Sequence, residues 1–273
     1  VKQDLRQIKL LRDLANEVRK KVLPIAGTSE AGLLVGRIGA GGDQVKKIDE
    51  IAEKVIVDKL REMRIECALI TEDSGKRLIG ENPQFTIIAD AIDGTTNAIL
   101  GIPYFTTSLA LVKGSNLKSV EAALVMNIPD GVTYSAVKGS KSIDNSGKAS
   151  KLKVVELEDA TVCVHFGALI DEEKKKQLSK LLTKIRDFRY FGSASLELCY
   201  VASGLFDAFV DLRNKLRLAD IAAAKLIVEE AGGQVASTTI NLDHEPLDST
   251  RKFSVLAASS SELLEKIINT LFK

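Results

Sequence analysis

The chain has 273 residues, 45% of them apolar and 27% charged, enough to bury a large core as one big domain or two smaller ones in a soluble globular protein. Lysine plus arginine number 38 against 37 aspartate plus glutamate, so the net charge of +1 supplies no general attraction for nucleic acid or a membrane, and an anionic partner must be drawn by local charge. Three widely spaced cysteines, Cys67, Cys163 and Cys199, with no CxxC between them, argue against a disulfide framework or zinc site and read as small buried hydrophobes.

The opening VKQDLRQIKLLRDL is too charged for a signal peptide, no apolar run approaches a membrane span, and a reducing cytoplasm is the expected compartment. Leu5, Ile8, Ala15, Val18 and Val22 recur at helical spacing until Pro24 and Gly27, which predicts a helix over roughly residues 2–23. Residues 27–43 hold Gly27, Gly32, Gly36, Gly39, Gly41 and Gly42, too much glycine for a packed element, and are expected to be a mobile loop. Their GRIGAGG lacks the GK[ST] and the preceding strand of a nucleotide loop. A second amphipathic helix follows from Ile48 to Met63, and ECALITED is a strand that runs out at Glu72 and Asp73.

The stretch FTIIADAIDGTTN, residues 85–97, is the most informative in the chain. A buried strand would deliver Asp90 rigidly to a sheet edge, and the turn after it would bring Asp93 back to the same spot. Two acidic groups that close repel unless cations lie between them. If Gly94 and Thr95 open a helix, their N–H groups and its dipole could meet a phosphate. The layout suits a metal-assisted phosphate site.

TTSLALVKG, EAALVMNIPD and GVTYSAVKG then read as consecutive antiparallel strands. SKSIDNSGKASK, residues 140–151, is polar without periodicity and is the candidate hinge, which divides the chain into 1–152 and 153–273. Beyond it strands and helices alternate: ATVCVHF, a helix DEEKKKQLSKLLTKI with a solvated face, FRYFG, SLELCYVASG, DAFVDL, DIAAAKLIVEEAGG, FSVLAAS and a last helix from Ser261, where Ser259 and Glu262 can close a capping box. His165 is expected in a core strand and His244 in a loop, neither in a metal-ligand pattern.

DAIDGTTN at 90–97, TED at 71–73, KKIDE at 46–50 and LADIAAAKLIVEEAGG at 218–233 together resemble the inositol monophosphatase and fructose-1,6-bisphosphatase superfamily, in its order and at similar separations. RYFGSASLELCYVASG and DLRNKLRLAD are most similar to the archaeal-type dual-activity enzymes. The resemblance covers nearly the whole chain. It implies an α+β fold, a layered α/β sandwich of the sugar phosphatase type, with an antiparallel N-terminal sheet and helices and a smaller C-terminal α/β part that contributes the last metal ligand. It further implies a Mg²⁺-dependent phosphomonoesterase acting on a small phosphate ester, in a homodimer or homotetramer.

Carried over residue by residue, the resemblance implies that Glu72, Asp90, Asp93, Asp220 and the carbonyl of Ile92 hold magnesium, and that Asp49 and Thr95, with Glu72, position and deprotonate a nucleophilic water. Gly94 and Thr95 would hold the phosphate beside Asp93, and Gly192, Ser193 and Ala194 would meet the sugar or inositol. Arg189 and Arg213 match substrate-contacting positions and suit a second phosphate, with Lys215 and Arg217 adding positive field. Asp211 stands where a plain inositol monophosphatase is expected to carry a hydroxyl-binding glutamate.

Ala91 replaces the family's proline between the aspartates, Asp73 a commoner glutamate, and Ala219 a frequent tryptophan. Taken singly the motifs have plainer readings: Asp220 an N-cap, Asp93-Gly94 a turn, Glu72-Asp73 a strand end, Asp49 a solvent-facing helix residue. An aspartyl-phosphate phosphotransferase would space its carboxylates as D-x-D and is disfavoured. A 3′-phosphoadenosine 5′-phosphate phosphatase would differ in the base pocket, for which 5% aromatics and no tryptophan offer no obvious platform. A catalytically silent phosphate-binding subunit is the third alternative.

Overall fold

The computed structural model describes residues 2–140, 152–167 and 171–273, so the hinge expected at 140–151 lies, apart from Ser140, outside the described residues. α1 (Lys2–Val22) covers the expected first helix, and Leu11, Leu14, Ala15, Val18 and Val22 are buried along one face. The glycine-rich stretch after it is not all loop, which corrects the sequence expectation. β1 (Leu34–Ile38) pairs antiparallel with β2 (Gln44–Lys46). The ribbon tolerates its glycines because backbone bonds hold it rather than packing, and Leu34 and Ile38 stay exposed. Ala40 N–H donates to the Asp73 carbonyl at 2.8 Å and Gly41 N–H to that of Glu72 at 3.1 Å, which seats the ribbon's turn on a strand end.

α2 (Lys47–Glu62) leads to β3 (Cys67–Thr71), β4 (Gly75–Ile79), β5 (Thr86–Asp93), the short α3 (Thr95–Leu100), β6 (Thr106–Val112), β7 (Val120–Asn127) and β8 (Thr133–Val137). Six strands form one sheet in the order β4-β3-β5-β6-β7-β8, antiparallel throughout except for the parallel pair β3 and β5. After residue 152 come β9 (Thr161–His165), α4 (Glu172–Leu182), β10 (Asp187–Arg189), α5 (Ala194–Ala202), β11 (Ala208–Leu216), α6 (Leu218–Glu230), β12 (Gln234–Ser237), β13 (Phe253–Ala258) and α7 (Ser261–Phe272). These strands make a second sheet, β10-β9-β11-β13-β12, of mixed direction.

Strand periodicity sorts the core into layers. Leu109 and Leu111 of β6 face α1 and α2, while Ala110 and Val112 face α5 and α6. On the other sheet Val255 and Ala257 of β13 face the same two helices, and Leu256 and Ala258 face α4 and α7. The order is therefore helix pair, six-stranded sheet, helix pair, five-stranded sheet, helix pair: the layered α+β sandwich expected. A helix between two sheets is apolar all round, as α6 is through Ile221–Val228. Its alanines let the sheets approach, and its one buried cation, Lys225, pairs with Glu229 and Asp243, each at 2.7 Å.

One cap differs from expectation. β13 runs to Ala258, so Ser260, not Ser259, caps α7 and accepts from Leu263 N–H at 3.1 Å, while Glu262 meets Ser261 at 3.2 Å; the Ser259–Glu262 box does not form. All three cysteines are free and buried. Among the described residues no helix is long and apolar enough to cross a membrane.

Candidate active site at the strand ends

Parallel pairing places the ends of β3 and β5 side by side, so Glu72, just past β3, emerges next to Asp90. The ladder between β5 and β6 slips between Asp90 and Asp93, and this irregularity lets both carboxylates leave the strand on the same side of the turn. Gly94 then takes φ +91°, and a Cβ there would come within 3.2 to 3.3 Å of the Tyr104 and Gly192 carbonyls, so glycine is required. Asp220 is not the N-cap of α6. It is the third residue of that helix, and its carboxylate accepts the Arg217 N–H at 2.5 Å. One oxygen each of Glu72, Asp90 and Asp220 lies within 4.8 Å of the others.

These groups crowd one another. Burial and then Asp220 push Glu72 up to about 8; burial and then Asp93 push Asp220 up to about 6. Asp90, 3% exposed, is raised well above the carboxylate range by burial and by Glu72. Three carboxylates that repel one another, of which Glu72 alone has an ion pair among the described residues, to Arg217, fit a hard divalent cation such as Mg²⁺. Each carboxyl keeps its proton to higher pH folded than unfolded. Between about pH 4 and pH 8 the folded chain therefore binds more protons, and its stability falls as pH rises. Calorimetry without divalent ions should show the melting temperature dropping across that window, and added Mg²⁺ should restore more of it at the alkaline end. A pH-independent melt would show that the cluster is not crowded.

Arg217, expected to add positive field, is instead spent locally. It pairs with Glu72, donates to Asp43 at 2.5 Å and to the Gly41 carbonyl at 2.6 Å, clasping the ribbon to the cluster. Asp93 stands slightly apart. Its Oδ2 accepts from Ser193 Oγ at 2.8 Å, Ser195 N at 2.7 Å and Ser195 Oγ at 2.5 Å, all at the start of α5, which leaves Oδ1 unspent. Burial raises the Asp93 carboxyl against the pull of those donors.

On the other flank Thr95 Oγ1 lies 2.8 Å from Asp49 Oδ1 and 3.1 Å from the Ile92 carbonyl. Asp49, in the first turn of α2, is pushed up to about 7, chiefly by burial, with the Thr95 bond opposing. Asp49, Glu72, Asp90, Ile92 and Thr95 share a cavity of about 330 Å³, together with Glu53 and Asp73. Asp49 is thus not a solvent-facing helix residue.

A second cavity, about 260 Å³, adjoins Asp93 and Asp220 on the side of the five-stranded sheet and is lined by Tyr190, Gly192, Ala194, Arg213, Lys215 and Lys252. Gly192, at φ +89°, donates its N–H to Glu197 at 3.0 Å, and the Ser193 hydroxyl is spent on Asp93. Arg213 is held by Asp211 at 2.7 Å. Lys215 and Lys252 form no ion pair among the described residues, though both act on Asp43, which lines the same cavity, and with Arg213 they set cations beside the carboxylates. Arg189 is not brought here: it is exposed at the sheet edge, donating to the Phe188 carbonyl at 2.8 Å, and lines neither cavity. Against the expectation of no obvious aromatic platform, one aromatic ring, Tyr190, 49% exposed, lines this cavity. Sequence reading missed Ser195, Glu197 and Lys252. Glu197 carried a signal, a lone carboxylate in the apolar helix LELCYVA; Lys252 carried none.

The family model for the inositol monophosphatase family matches residues 7–272. The chain is 36% identical over 267 residues to a fructose-1,6-bisphosphatase/inositol-1-monophosphatase of Methanothermobacter thermautotrophicus, covering 94% of each chain. It is 32% identical over 292 residues to a bifunctional NADP phosphatase/NAD kinase of Methanococcus maripaludis, covering 97% of this chain and 49% of that one. The crystal structure of the extragenic suppressor protein suhB from Bartonella henselae superposes with a TM-score of 0.83 at 28% identity, covering 98% of this chain and 99% of that one.

Proposed function

The chain belongs to the inositol monophosphatase family, and on that premise we propose that it is a Mg²⁺-dependent phosphomonoesterase hydrolysing fructose 1,6-bisphosphate and inositol 1-phosphate. The observation that carries the reading is the convergence of Glu72, Asp90 and Asp220 from three separate elements within 4.8 Å, beside a cavity that holds Arg213, Lys215 and Lys252. Glu72, Asp90, Asp220, the free oxygen of Asp93 and the Ile92 carbonyl would hold the cations. Bound there, Mg²⁺ supplies the Lewis acidity that makes water nucleophilic at neutral pH and neutralises the leaving oxygen.

The chain's own groups do the rest. Thr95 Oγ1 takes a proton from the attacking water as its own passes to Asp49 Oδ1, so the threonine is unchanged and the carboxyl ends protonated. Asp49, poised near 7, suits that exchange. The turn at Gly94 and Thr95 opens backbone donors toward the phosphate. Ala194 and Gly192 border the sugar or inositol, and Arg213, with Lys215 and Lys252, receives a second anionic group. No side chain forms a covalent bond to phosphorus in this scheme. A cytoplasmic dimer or pair of dimers belongs to the same reading.

A nucleoside phosphate is the second reading, favoured by Tyr190 beside the cavity and by the NADP phosphatase named among the relatives. The test is phosphate release with Mg²⁺ from fructose 1,6-bisphosphate, inositol 1-phosphate, 3′-phosphoadenosine 5′-phosphate and NADP, with and without EDTA. EDTA-sensitive turnover of the first two supports the proposal; turnover of the nucleotides alone moves the substrate; turnover of none makes the chain a silent subunit. Arg213→Ala should cut kcat/KM about 10–100-fold more for the bisphosphate than for the monophosphate, the worth of a charge-assisted bond.

A further inference from the structure

We propose that His165 is the positioning residue for Arg213: a relay running from Glu197 through the imidazole fixes the guanidinium so that one edge stays open to the cavity beside Asp93. The inference rests on the reading of that cavity as the substrate pocket. His165 sits at the end of β9, 2% exposed, between Glu197 of α5 and Asp211 of β11, both 0% exposed.

Counting hydrogens assigns every donor. Arg213 Nη2 lies 2.6 Å from His165 Nδ1, and a guanidinium cannot accept, so that ring nitrogen carries no proton. The ring's one proton is then on Nε2, which faces Glu197 Oε2. The imidazole is neutral, donating to a carboxylate on one side and accepting from a cation on the other. Arg213 Nε lies 3.1 Å from both Asp211 oxygens, and Nη2 also donates to Asp211 Oδ2 at 2.7 Å. Both hydrogens of Nη2 are therefore spent, one on Asp211 and one on His165. Nη1 has no partner among the described residues, and its two N–H groups are the edge left for an anionic ligand.

The same carboxylate holds the loop before α5. Glu197 Oε1 accepts the N–H groups of Phe191 at 2.7 Å and Gly192 at 3.0 Å. Arg213 and the Gly192 turn, both lining the cavity, thus share one buried anchor. Cys163 lies within 4.8 Å of His165 and Glu197. With both Glu197 oxygens already taken, the trio is a closed hydrogen-bond hub rather than a place for a metal. Without His165, Asp211 alone would hold Arg213, and the second Nη2 hydrogen would lose the acceptor that keeps the guanidinium in this orientation.

The test has two parts. His165→Phe keeps a ring but removes the acceptor, and is expected to raise KM for fructose 1,6-bisphosphate about tenfold more than KM for inositol 1-phosphate. In an Arg213→Ala background it should add nothing to that ratio. His165→Asn, whose Oδ1 stands near the place of Nδ1, should recover most of the ratio. Bisphosphate preference lost in Arg213→Ala but kept in His165→Phe would overturn the positioning role; an Arg213→Ala protein that treats both substrates alike to wild type would bring down the pocket reading and this inference with it. The second part needs no variant. The chain has two histidines, so ¹⁵N-histidine labelling leaves only His165 and His244 to separate. An Nε2–H tautomer for His165 at neutral pH supports the relay, and an Nδ1–H or doubly protonated ring overturns it.

Discussion

Asp90→Asn should lower kcat by on the order of 1,000-fold while raising the melting temperature of the metal-free protein. The loss exceeds the roughly 10–100-fold cost of removing a group one step away from a metal, because Asp90 would be a direct ligand. The gain in stability has a separate cause. Asp90 is 3% exposed and its carboxyl is raised by burial and by Glu72, so ionising it costs more in the folded than in the unfolded chain. An amide removes that linkage without losing the local bond: Asn Oδ1 can still accept the Ile92 N–H, now at 3.1 Å, and Nδ2 can donate to Asp220. Steady-state phosphate release and differential scanning calorimetry, each with and without Mg²⁺, check both halves. Near wild-type turnover would remove Asp90 from the metal set, and a fall in the metal-free melting temperature would mean that its charge is already compensated in the fold.

The next largest effect is expected at Asp49. Asp49→Asn should cost about 10²–10⁴ in kcat, the range of general-base contributions. It should also flatten the acid limb of the rate profile. Burial holds the Asp49 carboxyl at about 7 without cations. Nearby Mg²⁺ favours the carboxylate, so in the loaded enzyme the limb should lie below that value, with activity rising with pH as Asp49 ionises. Thr95→Val should give a similar loss and Thr95→Ser should recover most of it, because the hydroxyl 2.8 Å from Asp49 is what matters. An unchanged limb in Asp49→Asn would assign the base elsewhere, with Glu72 as the next candidate.

Much of this arrangement is written locally in the chain. Asp90 and Asp93 were legible because an apolar strand ending in D-x-x-D-G puts two carboxylates at a sheet edge whatever the tertiary context. The layers were legible because periods of two and of 3.6 mark which face each element buries. What was not legible depends on partners distant in sequence. Arg217 looks like a free cation until α6 and the ribbon are docked, when it finds Glu72 and Asp43. The ribbon itself was misread because glycine content reports poor packing but not backbone pairing. Ser195 looks like one more small residue in GSAS, and only the assembled fold turns both its N–H and its hydroxyl onto Asp93, 102 positions away. Arg189 has the chemistry for an anion, but it sits on the edge strand β10 with its guanidinium on the Phe188 carbonyl, a placement its sequence neighbourhood does not reveal.

The division of labour between the two sheets has a consequence for how such proteins diversify. Glu72, Asp90 and Asp93 stand at the ends of one sheet, whereas Tyr190, Arg213, Lys215 and Lys252 belong to strands and loops of the other. On the proposed function, substitutions on the second group would change which ester is accepted without disturbing the reactive centre, in keeping with relatives of one fold bearing names as different as a sugar bisphosphatase and a dinucleotide phosphatase. Selectivity would then be free to drift while chemistry stays put. The two parts do touch, at Ser193 and Ser195 on Asp93 and at Arg217 on Glu72, and a change made there for a new substrate would be felt by the carboxylates at once.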